Sequence, residues 1–187
     1  YRADFVVAAD GALDAAETIT AEFPLWRHGL FRYWDVANPN YPHVRQPPDI
    51  TEISLDGEPV PYDLSWEDGR RFRVAKIGDP GRYLDEGTHV FTIRYRVDGV
   101  LDPGETGATK IFPTSEGRPS AAPSVFYWNV IPPGWNNPIT DARISVTLPG
   151  PVTGAQCVVG TGTGSPCAQV RIDGNTATVS ARGVSPR

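Results

Sequence analysis

Thr88-His89-Val90-Phe91-Thr92-Ile93-Arg94-Tyr95-Arg96-Val97 alternates along its whole length. His89, Phe91, Ile93, Tyr95 and Val97 fall on one side; Thr92, Arg94 and Arg96 fall on the other. Successive side chains of a strand point to opposite faces, so this period of two describes a strand with one face in a core and one in water. The same pattern recurs on both sides of it. Residues 139–148 set Ala142, Ile144, Val146 and Leu148 against Asp141, Arg143, Ser145 and Thr147, and residues 12–23 set Leu13, Ala15, Glu17, Ile19, Ala21 and Phe23 against Asp14, Ala16, Thr18, Thr20 and Glu22. Leu30, Arg32, Trp34 and Val36 share a face in 30–36.

Asp-Gly dipeptides at 10–11, 56–57, 68–69, 98–99 and 173–174 punctuate these runs. Asp-Gly suits tight hairpin turns, which need positive φ. Residues 50–66 therefore read as a hairpin about Asp56-Gly57, with Val60, Tyr62, Leu64 and Trp66 alternating, followed by strands at 71–76 and 124–130 and short ones near 155–159, 168–172 and 175–181. No amphipathic helix stands out. About ten short antiparallel strands, each apolar on one face, are best buried as a two-sheet β-sandwich, with a closed β-barrel as the alternative. Pro-rich irregular stretches interrupt them at 37–49, 102–123 and 131–138; such long loops in a compact domain are usually either functional or disordered.

The 187 residues suit one large β domain or two small ones. A net charge of −5 with no basic cluster argues against nucleic acid, because phosphate binding needs grouped Lys and Arg. No run of 18 apolar residues is long enough for a membrane span. The absence of Met, position 1 included, makes the chain look like an excised fragment. Cys157 and Cys167 flank a Gly- and Pro-containing stretch that can fold back on itself. A disulfide is the favoured reading, closing a short loop worth roughly 3 kcal/mol and implying an oxidising compartment; two buried thiols are the rival. Two cysteines without a nearby His are too few for a metal site.

Two blocks carry a family resemblance. The first is Asp10-Gly11-Ala12-Leu13 through Glu17-Thr18-Ile19-Thr20 and Phe23 to Arg27-His28-Gly29-Leu30-Phe31-Arg32; the second is Tyr127-Trp128-Asn129-Val130, Gly134-Trp135, Pro138-Ile139 and Leu148-Pro149. In order and spacing they resemble the N-terminal exported domain of the YciQ-like predicted bacterial membrane proteins. The resemblance implies that residues 1–187 form one extracytoplasmic domain facing outward from the cell membrane, anchored through segments outside this sequence. It brings no catalytic residues. The Pro132-Pro133 pair, where a shorter Gly-containing turn is expected, and the long 102–123 stretch depart from the family pattern.

Glu17 and Arg32 each interrupt an apolar face. An unpaired buried charge costs several kcal/mol, so the two are expected to meet in a structural ion pair between adjacent strands. Neither a G-x-S-x-G elbow, an H-E-x-x-H helix nor a phosphate loop is present. His89 reads as a packed residue, His28 lies in a turn and His43 in a Pro-rich loop. Trp34, Trp66 and Trp128 read as core; Trp135 stands beside Asn136 and Asn137 in a loop, where a ring flanked by two amides suits a sugar face or, alternatively, caps the open end of the sandwich. Tyr41 and His43 form a second candidate surface. The leading expectation is a non-catalytic domain without cofactor or metal, binding an envelope ligand or protein. The alternatives are a structural or assembly module of a membrane protein, and an envelope enzyme acting on glycan or peptide.

Overall fold

Alternation in the sequence becomes sheet in the structure. A computed structural model describes residues 1–38, 41, 43–104, 122–132, 135–160 and 164–185. Its strands are β1 (Arg2–Val7), β2 (Leu13–Phe23), β3 (Gly29–Asp35), β4 (Asp49–Leu55), β5 (Glu58–Pro59), β6 (Tyr62–Glu67), β7 (Phe72–Gly78), β8 (Gly87–Val97), β9 (Leu101–Pro103), β10 (Ser124–Phe126), β11 (Ile139–Thr147), β12 (Val158–Val159), β13 (Ser165–Pro166), β14 (Gln169–Asp173) and β15 (Thr176–Val184).

The large sheet has eight strands in the order β14-β15-β11-β1-β2-β8-β4-β5, and the small one three, β3-β7-β6. Short two-stranded ladders join β9 to β10 and β12 to β13. Phe5, Leu13, Ile19, Ile53, Phe91, Ile93 and Tyr95 of the large sheet and Trp34, Ala75 and Ile77 of the small sheet belong to one buried cluster, so the fold is all-β with two sheets packed face to face. The large sheet runs from β14 to β5 without closing, which rules out the barrel.

Four readings need correction. The large sheet is mixed, because β1 pairs in parallel with β11, Phe5 opposite Val146. The 2–7 stretch was not foreseen as a strand, yet it lies between β11 and β2 and buries Ala3, Phe5 and Val7. The hairpin about Asp56-Gly57 is real but short. Asp56 and Gly57 take φ of 52° and 89°, the left-handed pair that a tight turn requires, and pairing ends at Ser54 opposite Pro59. Pro59 and Pro61 lack the N–H that a ladder needs, so the chain leaves the large sheet there and enters the small one as β6. Of the strand expected at 124–130, only Ser124–Phe126 pairs.

Three strands cannot cover eight. The inner face of β11 and β15 carries a second cluster of Ile139, Ala142, Ala181 and Val184, against which Ile131, Trp135, Val159 and Cys167 pack. A loop and a disulfide-closed hairpin thus do the covering that a wider second sheet would do elsewhere. Cys157 and Cys167 are bonded with Cα atoms 5.3 Å apart, and the Cys167 N–H donates to the Cys157 carbonyl at 3.0 Å. Residues 161–163 of this loop lie outside the described residues.

Candidate functional site

The deepest polar feature joins the sheets. Arg32 of β3 and Glu17 of β2 are 1 % and 0 % exposed, and the guanidinium forks onto the carboxylate with Nε and Nη2 each 2.7 Å from an oxygen. β2 and β3 are consecutive in the chain but belong to opposite sheets. The bridge therefore spans the sandwich, not two adjacent strands. Arg32 also donates to the carbonyls of Tyr33 and, at 3.0 Å, Val130, and its Cζ lies 4.8 Å from the Trp34 ring centre. The Tyr95 hydroxyl donates to Glu17 at 2.6 Å. Burial and the Glu17 carboxylate hold the Tyr95 hydroxyl well above its ordinary pKa. Burial alone would lower Arg32; the Glu17 carboxylate outweighs it and keeps the guanidinium above its usual value. Every member of this network is turned inward, which makes it a clamp rather than a binding surface.

The Val130 contact fixes the segment after β10, and that segment lines a cleft of about 180 Å3 between Asp35, Ala37, Gln46, Arg71, Tyr127, Trp128 and Asn129. Arg71 grips Asp35 through Nη2 at 2.8 Å and Nε at 3.2 Å. The hydrogen bond to Asp35 raises the Arg71 pKa further. Gln46 is anchored by its amide, which donates to the Gly99 carbonyl at 2.7 Å. Trp128 stacks on Phe126, with ring planes 10° apart. An ion pair, two amides and two aromatic side chains thus converge on a small polar hollow. Sequence reasoning missed it because its members come from four separate segments; only Tyr127-Trp128-Asn129 stood out, as part of the family blocks.

Trp135 is half-buried and packs against both core clusters, edge-on to Tyr1 at 6.3 Å. Asn136 and Asn137 are exposed beside it. Pro133 and Gly134 lie outside the described residues, as do Pro39, Asn40, Pro42 and residues 105–121. Tyr41 and His43 are edge-on at 6.4 Å, and the Tyr41 N–H donates to the Asn38 side chain at 3.1 Å. Neither residue lines the cleft. Among the described residues no group of three or more His, Cys, Asp or Glu could hold a metal ion.

The histidines are scattered. His28 stacks on Tyr83 at 4.2 Å, with Nδ1 facing the carbonyls of Asp79 and Arg82 at 3.1 and 2.8 Å. His89 closes the β4–β5 turn: Nδ1 is 2.7 Å from Asp56, whose other oxygen accepts the Val90 N–H at 2.8 Å. The Asp56 hydrogen bond raises the His89 pKa, and the Val90 N–H, then His89, lowers that of Asp56. His89 thus stabilises the fold fully below its unfolded pKa of about 6.5, and the contribution is lost as pH rises through the raised folded value. Asp56 contributes above its unfolded value of about 3.9, losing this as pH falls through the depressed one. The thermal midpoint is expected to decline as pH rises above about 6.5 more steeply in the parent than in His89→Gln; equal slopes would show that the bridge is energetically silent.

No curated protein matches the chain. Among solved structures, it is similar to yeast LTA4 hydrolase in complex with bestatin, with a TM-score of 0.50 and 13 % identity over 96 % of this chain and 25 % of that one. It is equally similar to native leukotriene A4 hydrolase from Saccharomyces cerevisiae, with a TM-score of 0.50 and 13 % identity over 99 % of this chain and 26 % of the other. At such identity the likeness shows the fold alone, and the chain spans about a quarter of those structures' length. The family model of the predicted membrane protein (DUF2207) N-terminal domain matches residues 1–187.

Proposed function

The chain belongs to the DUF2207 family of predicted membrane proteins, whose N-terminal domain it matches throughout, and from that premise we propose that it is the outward-facing, non-catalytic binding domain of such a protein. The observation that carries this reading is the cleft at Asp35, Gln46, Arg71, Tyr127, Trp128 and Asn129. Its two ionised groups neutralise one another in a forked bridge. Arg71 is a poor proton donor, since its pKa is raised further by Asp35. What the cleft offers is recognition: a paired charge and two amides to orient polar groups, with aromatic side chains for contact area. At about 180 Å3 it is below the roughly 300–1,000 Å3 of drug-sized sites and suits one sugar ring or one peptide residue. The Cys157–Cys167 disulfide supports the outward side, where thiols stay oxidised.

Melting of the 187-residue chain against glycans, cell-wall fragments, peptides and divalent metals tests the reading. A ligand at ten times its dissociation constant stabilises by about 1.4 kcal/mol, a rise of roughly 3–6 °C for a domain of this size. One class is expected to produce it, and Arg71→Ala, which frees Asp35 and opens the cleft wall, to abolish it. A flat response across the panel, a shift indifferent to Arg71→Ala, or chemical turnover of the stabilising compound would each overturn the proposal.

A further inference from the structure

The two ends of the large sheet are treated differently. At one end β5 is two residues long, includes Pro59 and is followed by Pro61, so that edge offers little backbone for pairing. At the other end lies β14, whose only strand neighbour among the described residues is β15. All five of its residues are exposed, and it contains neither proline nor lysine. Its register continues both faces of the sheet outward. On the inner face Val170 lies opposite Val179 and Ile172 opposite Ala177. Val170 and Ile172 are 39 % and 44 % exposed, an apolar stripe that stops at the edge with no strand beyond it among the described residues. On the outer face Arg171 lies opposite Thr178. There it joins Arg143 and Arg182 around a groove of about 410 Å3, whose other lining residues include Gln169, Ser180 and a single acid, Asp141.

An open edge is a template for another strand, since its outward N–H and C=O groups are unpaired by the sheet. Side-chain chemistry then selects which strand. Asp141 bridges Arg143 at 3.2 Å and Arg182 at 3.8 Å, whereas among the described residues Arg171 has no carboxylate partner. In a chain of net charge −5, the groove holds three guanidiniums against one carboxylate. A second copy of β14 is a poor occupant: antiparallel pairing with full overlap sets Arg171, the central residue, opposite its own image, and like charges directly opposite destabilise.

We infer that the β14 edge accepts an extended acidic peptide as an added strand, with alternate carboxylates on Arg171 and its groove and alternate apolar side chains on Val170 and Ile172. This surface is formed by other residues than the Asp35–Arg71 cleft, so either can fail without the other. The test is fluorescence anisotropy of the 187-residue chain with a labelled peptide of alternating Glu and Val, a Lys–Val counterpart, and a Glu–Val peptide N-methylated on its ladder-forming amides. The expected result is binding of Glu–Val only, weakened by about tenfold or more in Arg171→Glu, with amide NMR shifts centred on 169–173. Arg171 is exposed, so the variant is expected to fold, which its circular dichroism checks. No binding of Glu–Val at concentrations up to about 1 mM, equal binding of the Lys–Val or N-methylated peptide, or an affinity unchanged in Arg171→Glu would overturn the inference. So would sedimentation showing a wild-type dimer that Arg171→Glu dissociates, since the edge would then belong to a second copy.

Discussion

Glu17→Ala is expected to lower the unfolding free energy by about 3–5 kcal/mol, the cost of leaving one member of a buried ion pair without its partner. Arg32 would stay enclosed at 1 % exposure with its fork facing an empty space. For a domain of this length such a loss lowers the thermal midpoint by roughly 6–20 °C. Arg32→Ala is expected to do similar harm, because Glu17 would keep the Tyr95 hydroxyl at 2.6 Å but lose the guanidinium that balances its charge. Arg32→Lys should rescue little: an ammonium cannot hold both carboxylate oxygens and also reach the Val130 carbonyl.

The informative variant is the double one. Glu17→Leu with Arg32→Met removes both charges and roughly keeps the volume, so its loss is expected to be smaller than that of either alanine variant. Urea unfolding of the two alanine variants and the double supplies the comparison. Alanine variants losing less than about 1 kcal/mol would mean that water or another group relieves the orphaned charge, and the clamp reading would fall. The geometry also predicts where damage spreads. Through Val130, Arg32 holds the segment that lines the cleft, so Arg32→Met alone should loosen Tyr127, Trp128 and Asn129 before the sheets part.

The clamp was legible in the sequence because a charge on an apolar strand face is conspicuous, and burial obliges it to find an opposite charge. What periodicity does not encode is which sheet a strand joins. Glu17 and Arg32 were therefore expected on adjacent strands, when their strands face each other across the core. The same limit explains β1: Arg2-Ala3-Asp4-Phe5-Val6-Val7 is short and ends in two adjacent valines, so its alternation is weak, yet tertiary pairing with β2 and β11 makes it central. Proline carried more information than the hairpin reading used. Pro59 and Pro61 mark the point where the chain changes sheets. The cleft was least legible of all. Asp35, Gln46 and Arg71 are unexceptional in sequence, and only the fold brings them to Trp128 and Asn129. Trp135 shows what the loop sequence alone does not encode: three strands leave β11 and β15 in need of a cover, and its ring packs there.

Gly29→Ala and Gly78→Ala are each expected to cost about 2–5 kcal/mol, combining the strain of a left-handed backbone with an overpacked contact. The two glycines lie opposite each other at the end of the β3–β7 ladder. Both have positive φ, 151° and 130°. A Cβ on Gly29 would stand 1.9 Å from the Ile77 carbonyl oxygen, and one on Gly78 the same distance from that of His28. Those neighbours are backbone, so no rotamer change can relieve the clash, and a strand must move. Movement is costly here because the Gly78 N–H donates to the Pro61 carbonyl at 2.9 Å, tying this end of β7 to the approach of β6. Gly57→Ala is the control: φ is +89° and nothing lies within 4 Å of an added Cβ, so it carries the backbone strain of about 1–2 kcal/mol without the clash. Urea midpoints of the three variants separate the two effects. Gly29→Ala and Gly78→Ala should each exceed Gly57→Ala by at least about 1 kcal/mol. Equal losses at all three positions would reduce the close approach to a matter of φ alone, and the ladder's end would then have to open without cost. If the close approach holds, the damage should also be directional: hydrogen exchange should quicken along β3 toward Arg32, because the strand that the clash displaces is the one that carries the clamp.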